Sequence, residues 1–107
     1  MGWSMTLGET LARLMRAERM NPTELGRFGG CGKTEVYHVL KGAPRTRPST
    51  LRKLARGLAT DPYEPQVVDE PKAIRYYFQL MKAAGYLTDE EVRAVVRRDP
   101  SEREPTS

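Results

Sequence analysis

PTELGRFGGCGKTEVYHVLKG, residues 22–42, divides into two short helical patterns around a glycine-rich turn. Leu25 and Phe28 give the first pattern its apolar side. Val36, Val39 and Leu40 recur at spacings of three and four, so they share one face of the second. Lys33, Thr34, Tyr37, His38 and Lys41 occupy the other face of that second helix. Gly29, Gly30 and Gly32 fall between the two patterns, where the chain must turn sharply and glycine accepts positive φ without steric cost. A helix with an apolar back and a cationic, hydrogen-bonding front has the chemistry to enter a DNA major groove.

The rest of the chain is consistent with an anionic partner. It has 107 residues, a net charge of +4, one cysteine and one histidine. Residues 1–61 carry eleven basic and five acidic side chains, whereas residues 62–107 carry seven and nine. Polyanion binding is therefore expected of the first half. A lone Cys31 allows no intramolecular disulfide, and one Cys with one His cannot complete a usual zinc site. No metal or cofactor is expected. The residues show no clustered catalytic groups, so an enzyme is not expected either. No apolar run approaches the roughly 20 residues that span a bilayer, and the N-terminus lacks a signal-peptide layout. A cytoplasmic protein is expected. Gly32-Lys33-Thr34 superficially suggests a P-loop. That motif needs a glycine five positions earlier, where Arg27 stands, and no strand precedes it.

Working outward, Thr6-Leu7-Gly8-Glu9 has capping-box form and opens a helix with a Leu7, Leu11, Leu14 and Met15 stripe. That helix is expected to end near Arg19 or Met20, with Met20 turned inward. Asn21-Pro22-Thr23-Glu24 starts the second helix, with Asn21 as N-cap and Pro22 in the first turn. Gly26 lacks a side chain on the side facing the next helix, which permits close approach. The third helix is expected from about Lys33 to Lys41, closed by Gly42. Ser49 or Thr50 starts a fourth, with Leu51, Leu54, Ala55 and Leu58 inward and Arg52, Lys53 and Arg56 outward. Pro62 and Pro65 break the pattern, and a turn or 3₁₀ piece and a linker through 70 are expected there. Pro71 fits a first helical position, Gly85 a stop, and Thr88-Asp89-Glu90-Glu91 a further capping box. Residues from Asp99 onward are polar or proline and are expected to be a disordered tail.

Leu7 to Asp61 resembles the helix-turn-helix domain of the Cro/phage-repressor, or xenobiotic-response-element, family. The resemblance lies in Leu11 and Leu14, Glu24-Leu25, Gly30, Val36, Gly42, Thr50-Leu51, Lys53-Leu54-Ala55 and Leu58. The chain departs from the family at Pro22 (often Gln), Gly26 (Ala), Gly32 (Ser) and Leu40 (acidic). The implied fold is all-α: a four- to five-helix domain at 6–61, a linker at 62–70, a C-terminal helical hairpin at 71–98 and a tail at 99–107. The resemblance places base reading on Lys33, Thr34 and His38. Phosphate contacts fall on Thr23, Tyr37, Lys41, Arg45 and Arg47. Bases give specificity, while phosphates give affinity and register.

The resemblance implies a bacterial or phage transcriptional regulator, a dimeric repressor on a (pseudo)palindromic double-stranded operator. Two recognition helices would then lie about 34 Å apart. The apolar residues Ile74, Tyr77, Phe78, Met81, Val92, Val95 and Val96 of the C-terminal hairpin are the expected homodimer or partner interface. The alternative is an antitoxin or accessory protein whose hairpin binds a protein partner. A third reading is an interaction module that has lost DNA binding, which the basic face of the third helix opposes.

Overall fold

Helix-end chemistry sets most of the architecture. The computed structural model describes residues 6–42 and 46–87. In chain order these form α1 (Leu7–Glu18), α2 (Pro22–Gly29), α3 (Gly32–Leu40), α4 (Pro48–Leu58), β1 (Thr60–Asp61), β2 (Glu64–Val68) and α5 (Glu70–Ala83). The capping boxes at Thr6 and Asn21 are present, while the one expected at Thr88-Asp89-Glu90-Glu91 lies outside the described residues. The Thr6 hydroxyl accepts from the Glu9 amide at 3.1 Å, and Glu9 Oε1 accepts from the Thr6 amide at 2.9 Å. Asn21 and Glu24 repeat the exchange at 2.8 and 3.1 Å. Each box satisfies amides that the first turn of a helix leaves unpaired.

Three helices close in the same way. The Met20, Cys31 and Tyr86 amides reach back to the carbonyls of Met15, Gly26 and Met81. In each, the residue before is left-handed: Arg19 at φ 56°, Gly30 at φ 74° and Gly85 at φ 88°. This is the Schellman closure, normally built on glycine. Arg19 adopts the conformation without that freedom. Met15 and Met20 supply its usual apolar contact, both buried in the core.

Two helix starts shift by a residue from the expected position. α4 begins at Pro48, with Arg47 as its N-cap. In α5 Glu70 is the first residue and Pro71 the second, after an Asp69 cap that accepts from the Lys72 amide at 3.1 Å. α3 likewise runs one residue earlier at both ends than expected, with Lys41 as its C-cap.

Residues 62–70, expected as a turn and linker, are largely strand. β1 and β2 pair antiparallel, with Thr60 opposite Val68 and Asp61 opposite Glu64. The Asp61 carboxylate accepts from the Tyr63 amide at 2.9 Å and shapes the reversal. Proline is tolerated here because a two-stranded ribbon consists only of edges. Apart from this hairpin, the regular structure of the described residues is helical.

The core draws on all five helices: Leu11 and Leu14 from α1, Leu25 from α2, Val36 and Val39 from α3, Leu51, Leu54 and Leu58 from α4, and Leu80 from α5. The stripe expected on α5 is rotated. Ala73 and Leu80 are buried, Tyr77 and Met81 pack at the core margin, and Ile74 is 50% exposed. Ala73, Tyr77, Leu80 and Ala84 follow one helical line, and the small Ala73 admits α4 closely. Ile74 and Phe78 lie on its flank, beside Arg52 and Arg56 of α4 in a shallow cleft.

Polar contacts tie α5 to α1. Glu18 accepts from Lys72 Nζ at 3.2 Å and from the Tyr76 hydroxyl at 2.5 Å, and Arg13 donates to Gln79 at 3.1 Å. Burial, reinforced by the Glu18 carboxylate, pushes the Tyr76 phenol up from 10.0 to about 12. The folded state therefore holds this proton more tightly than the unfolded chain. The associated stability is complete below pH 10 and is lost as pH rises through about 12. Urea midpoints measured across that window should fall less steeply for Tyr76→Phe than for wild type. Identical slopes would show that the phenol is not linked to folding.

Candidate nucleic-acid interface

The site is built on α3. Its inward residues Val36 and Val39 are fully buried. Helical geometry then forces the residues between them outward. Lys33, Thr34, Tyr37 and His38 are all exposed, as is Lys41 at the C-cap. Lys33 and Tyr37, Thr34 and His38, and Tyr37 and Lys41 are pairs four apart, so the five side chains share a face. From Lys33 to Lys41 that face is about 12 Å long, comparable to the width of a DNA major groove.

α2 holds this helix in place. A Cβ built on Gly26 would stand 2.5 Å from the Lys33 nitrogen and would also strike the Gly32 carbonyl group. The expected close approach is therefore backbone against backbone. Gly30 and Gly32 take φ of 74° and 82° in the turn. Gly29, expected within the turn, is instead the last residue of α2. Cys31 caps α3 without any side-chain hydrogen bond. The first turn of α3 thus keeps amides that no capping side chain satisfies.

Cys31 packs against the core margin. Burial pushes its thiol up, with Glu35 adding to the shift, while a backbone hydrogen bond and Lys53 act in the opposite sense. The rise disfavours the reactive thiolate. Lys53, the cation that acts on it, comes from α4.

The expected phosphate contacts are distributed over three elements. Thr23 is exposed in the first turn of α2, Tyr37 and Lys41 belong to the α3 face, and Arg47 is exposed at the N-cap of α4. Arg45 lies outside the described residues, as do Val92, Val95 and Val96, the last helix of the hairpin and the tail at 99–107. Of the expected interface, Ile74 is half exposed and Tyr77 and Met81 turn partly into the core. On α4, Arg56 meets Glu70 of α5 at 3.1 Å, an exposed pair of small energetic worth.

One contact had no signal in the sequence. The Tyr86 hydroxyl donates to the Thr46 carbonyl at 2.8 Å, joining the end of α5 to the approach to α4. Forty positions separate the partners, beyond the reach of any local pattern.

An exposed polar helix on a buried apolar back, crossed by a shorter helix through a glycine turn, defines a DNA-binding helix-turn-helix protein. A family model described as a helix-turn-helix domain matches residues 6–65. The chain belongs to that family. No curated protein and no solved structure matches it. Among the described residues, no helix is long and apolar enough to cross a membrane. No group of three or more His, Cys, Asp or Glu side chains there is placed to hold a metal ion.

Proposed function

We propose that the protein is a sequence-specific transcriptional regulator, a dimeric repressor that inserts α3 into the major groove of a (pseudo)palindromic operator. The observation that carries this reading is the exposed face of Lys33, Thr34, Tyr37 and His38 directly behind fully buried Val36 and Val39. Lys33 donates to guanine O6 or N7. Thr34 offers a hydroxyl to polar base edges and a methyl to thymine. His38 donates or accepts according to its tautomer. Thr23, Tyr37, Lys41, Arg45 and Arg47 hold the phosphates on either side. Repression follows from occupying a promoter. The dimer forms through the apolar residues Ile74, Tyr77, Phe78, Met81, Val92, Val95 and Val96, of which Ile74 and Phe78 lie on the flank of α5.

The test is a titration of wild type, Lys33→Ala and His38→Ala against DNA upstream of the protein's own gene and against random DNA. Each substitution should cost about 1–3 kcal/mol on the specific site. Random DNA should be affected much less by His38→Ala, because phosphate contacts carry that binding. Moving the two half-sites apart by half a helical turn should weaken a dimer far more than a monomer. Equal binding to both DNAs by all three proteins would overturn sequence-specific reading of this DNA through α3.

A further inference from the structure

We infer that Tyr86 is a positioning residue for DNA binding, a strut from α5 that fixes the segment presenting Arg47 to phosphate. This rests on the reading of Arg47 as a phosphate contact. Arg47 follows Thr46 directly and is exposed at the N-cap of α4. On its far side the Arg47 carbonyl accepts from the Thr50 and Leu51 amides, both at 3.0 Å, so α4 holds it there. On its near side the chain is held at Thr46, which is buried and whose carbonyl accepts from the Tyr86 hydroxyl at 2.8 Å. The strut is itself anchored. The Tyr86 amide donates to the Met81 carbonyl at 2.9 Å, and Gly85 at φ 88° makes the turn that ends α5 just before it.

A guanidinium contributes to phosphate binding only as far as its geometry is set in advance. The ordering of a long side chain and its backbone is otherwise charged against affinity. α4 packs on α2, and α2 packs on α3, so a backbone held at the start of α4 also fixes where Arg47 stands relative to the recognition face. A helix remote from the recognition face thereby acts on DNA affinity.

The experiment uses Tyr86→Phe, which removes one hydroxyl and keeps the ring. The probe is a random-sequence DNA duplex, because a phosphate contact needs no operator. The variant should bind about three- to tenfold more weakly, the worth of one net hydrogen bond. Its logarithmic salt slope should fall by up to about 0.9, one phosphate contact. Amide exchange at Thr46 and Arg47 should accelerate. In an Arg47→Ala background, Tyr86→Phe should cause no further loss, since both act on one contact. Additive losses, or faster exchange with unchanged affinity and slope, would overturn the inference and leave the functional reading standing. A wild-type protein that binds neither random nor own-gene DNA would overturn both.

Discussion

Gly26→Val should cost about 3 kcal/mol of folding stability, the upper end for overpacking, and should abolish specific DNA binding with it. The atoms a side chain would meet here are the backbone of Gly32 and Lys33, not the movable end of a neighbouring side chain. Relief therefore requires α2 and α3 to separate. Separation lifts Val36 and Val39 from the core they share with Leu25, and moves Lys33 and Thr34 from their place on the face. A graded series sharpens the test. Gly26→Ala gains up to about 1 kcal/mol of helix propensity, which offsets part of its collision, so it should fall between glycine and valine. Urea denaturation gives the stabilities, and titration with own-gene DNA gives the binding. A valine variant as stable as wild type would mean that the two helices have room between them.

Leu80→Ala should lower stability by about 2–5 kcal/mol. Leu80 is fully buried in the same cluster as Leu11, Leu54 and Leu58, so its loss leaves a cavity at the centre of the molecule. Helical circular dichroism and intrinsic fluorescence should report one shifted transition. This outcome bears on the chain's organisation. Residues 71–98 read as a unit of their own after a linker, and an independent unit would unfold in a separate step. Two transitions, with only the weaker one moved by Leu80→Ala, would support that division. A single transition moved as a whole would make α5 the fifth wall of the helix-turn-helix core.

What the sequence disclosed is what local chemistry decides. Thr6 with Glu9 and Asn21 with Glu24 announce helix starts because the hydrogen bonds they make span three residues. Gly30, Gly42 and Gly85 announce ends because few other residues take their φ values cheaply. Arg19 gave no comparable signal, although its neighbourhood fixed the end of α1 to within a residue or two. The outward face of α3 was legible from spacing alone. The hairpin was not, since Pro62 and Pro65 signal a break while the pairing of Thr60 with Val68 is non-local. Nor could an amphipathic stripe on α5 say what it packs against. Ile74 and Met81 looked equivalent in sequence, yet Ile74 stands half in solvent and Met81 lies against the core. The Tyr86–Thr46 strut and the approach of Lys53 to Cys31 depend on chain segments brought together only by the completed fold.

The position of Leu80 also bears on synthesis. At roughly 5–20 residues per second, the ribosome adds Leu80 about 1–4 s after Leu58. Until then α1, α2, α3 and α4 exist as a nascent chain whose central apolar surface has no lid. The protein is thus obliged to wait for α5, the last helix among its described residues, before it can hide that surface. Over this interval it is a natural client for chaperones, and slower translation between α4 and α5 should lengthen its exposure to proteases.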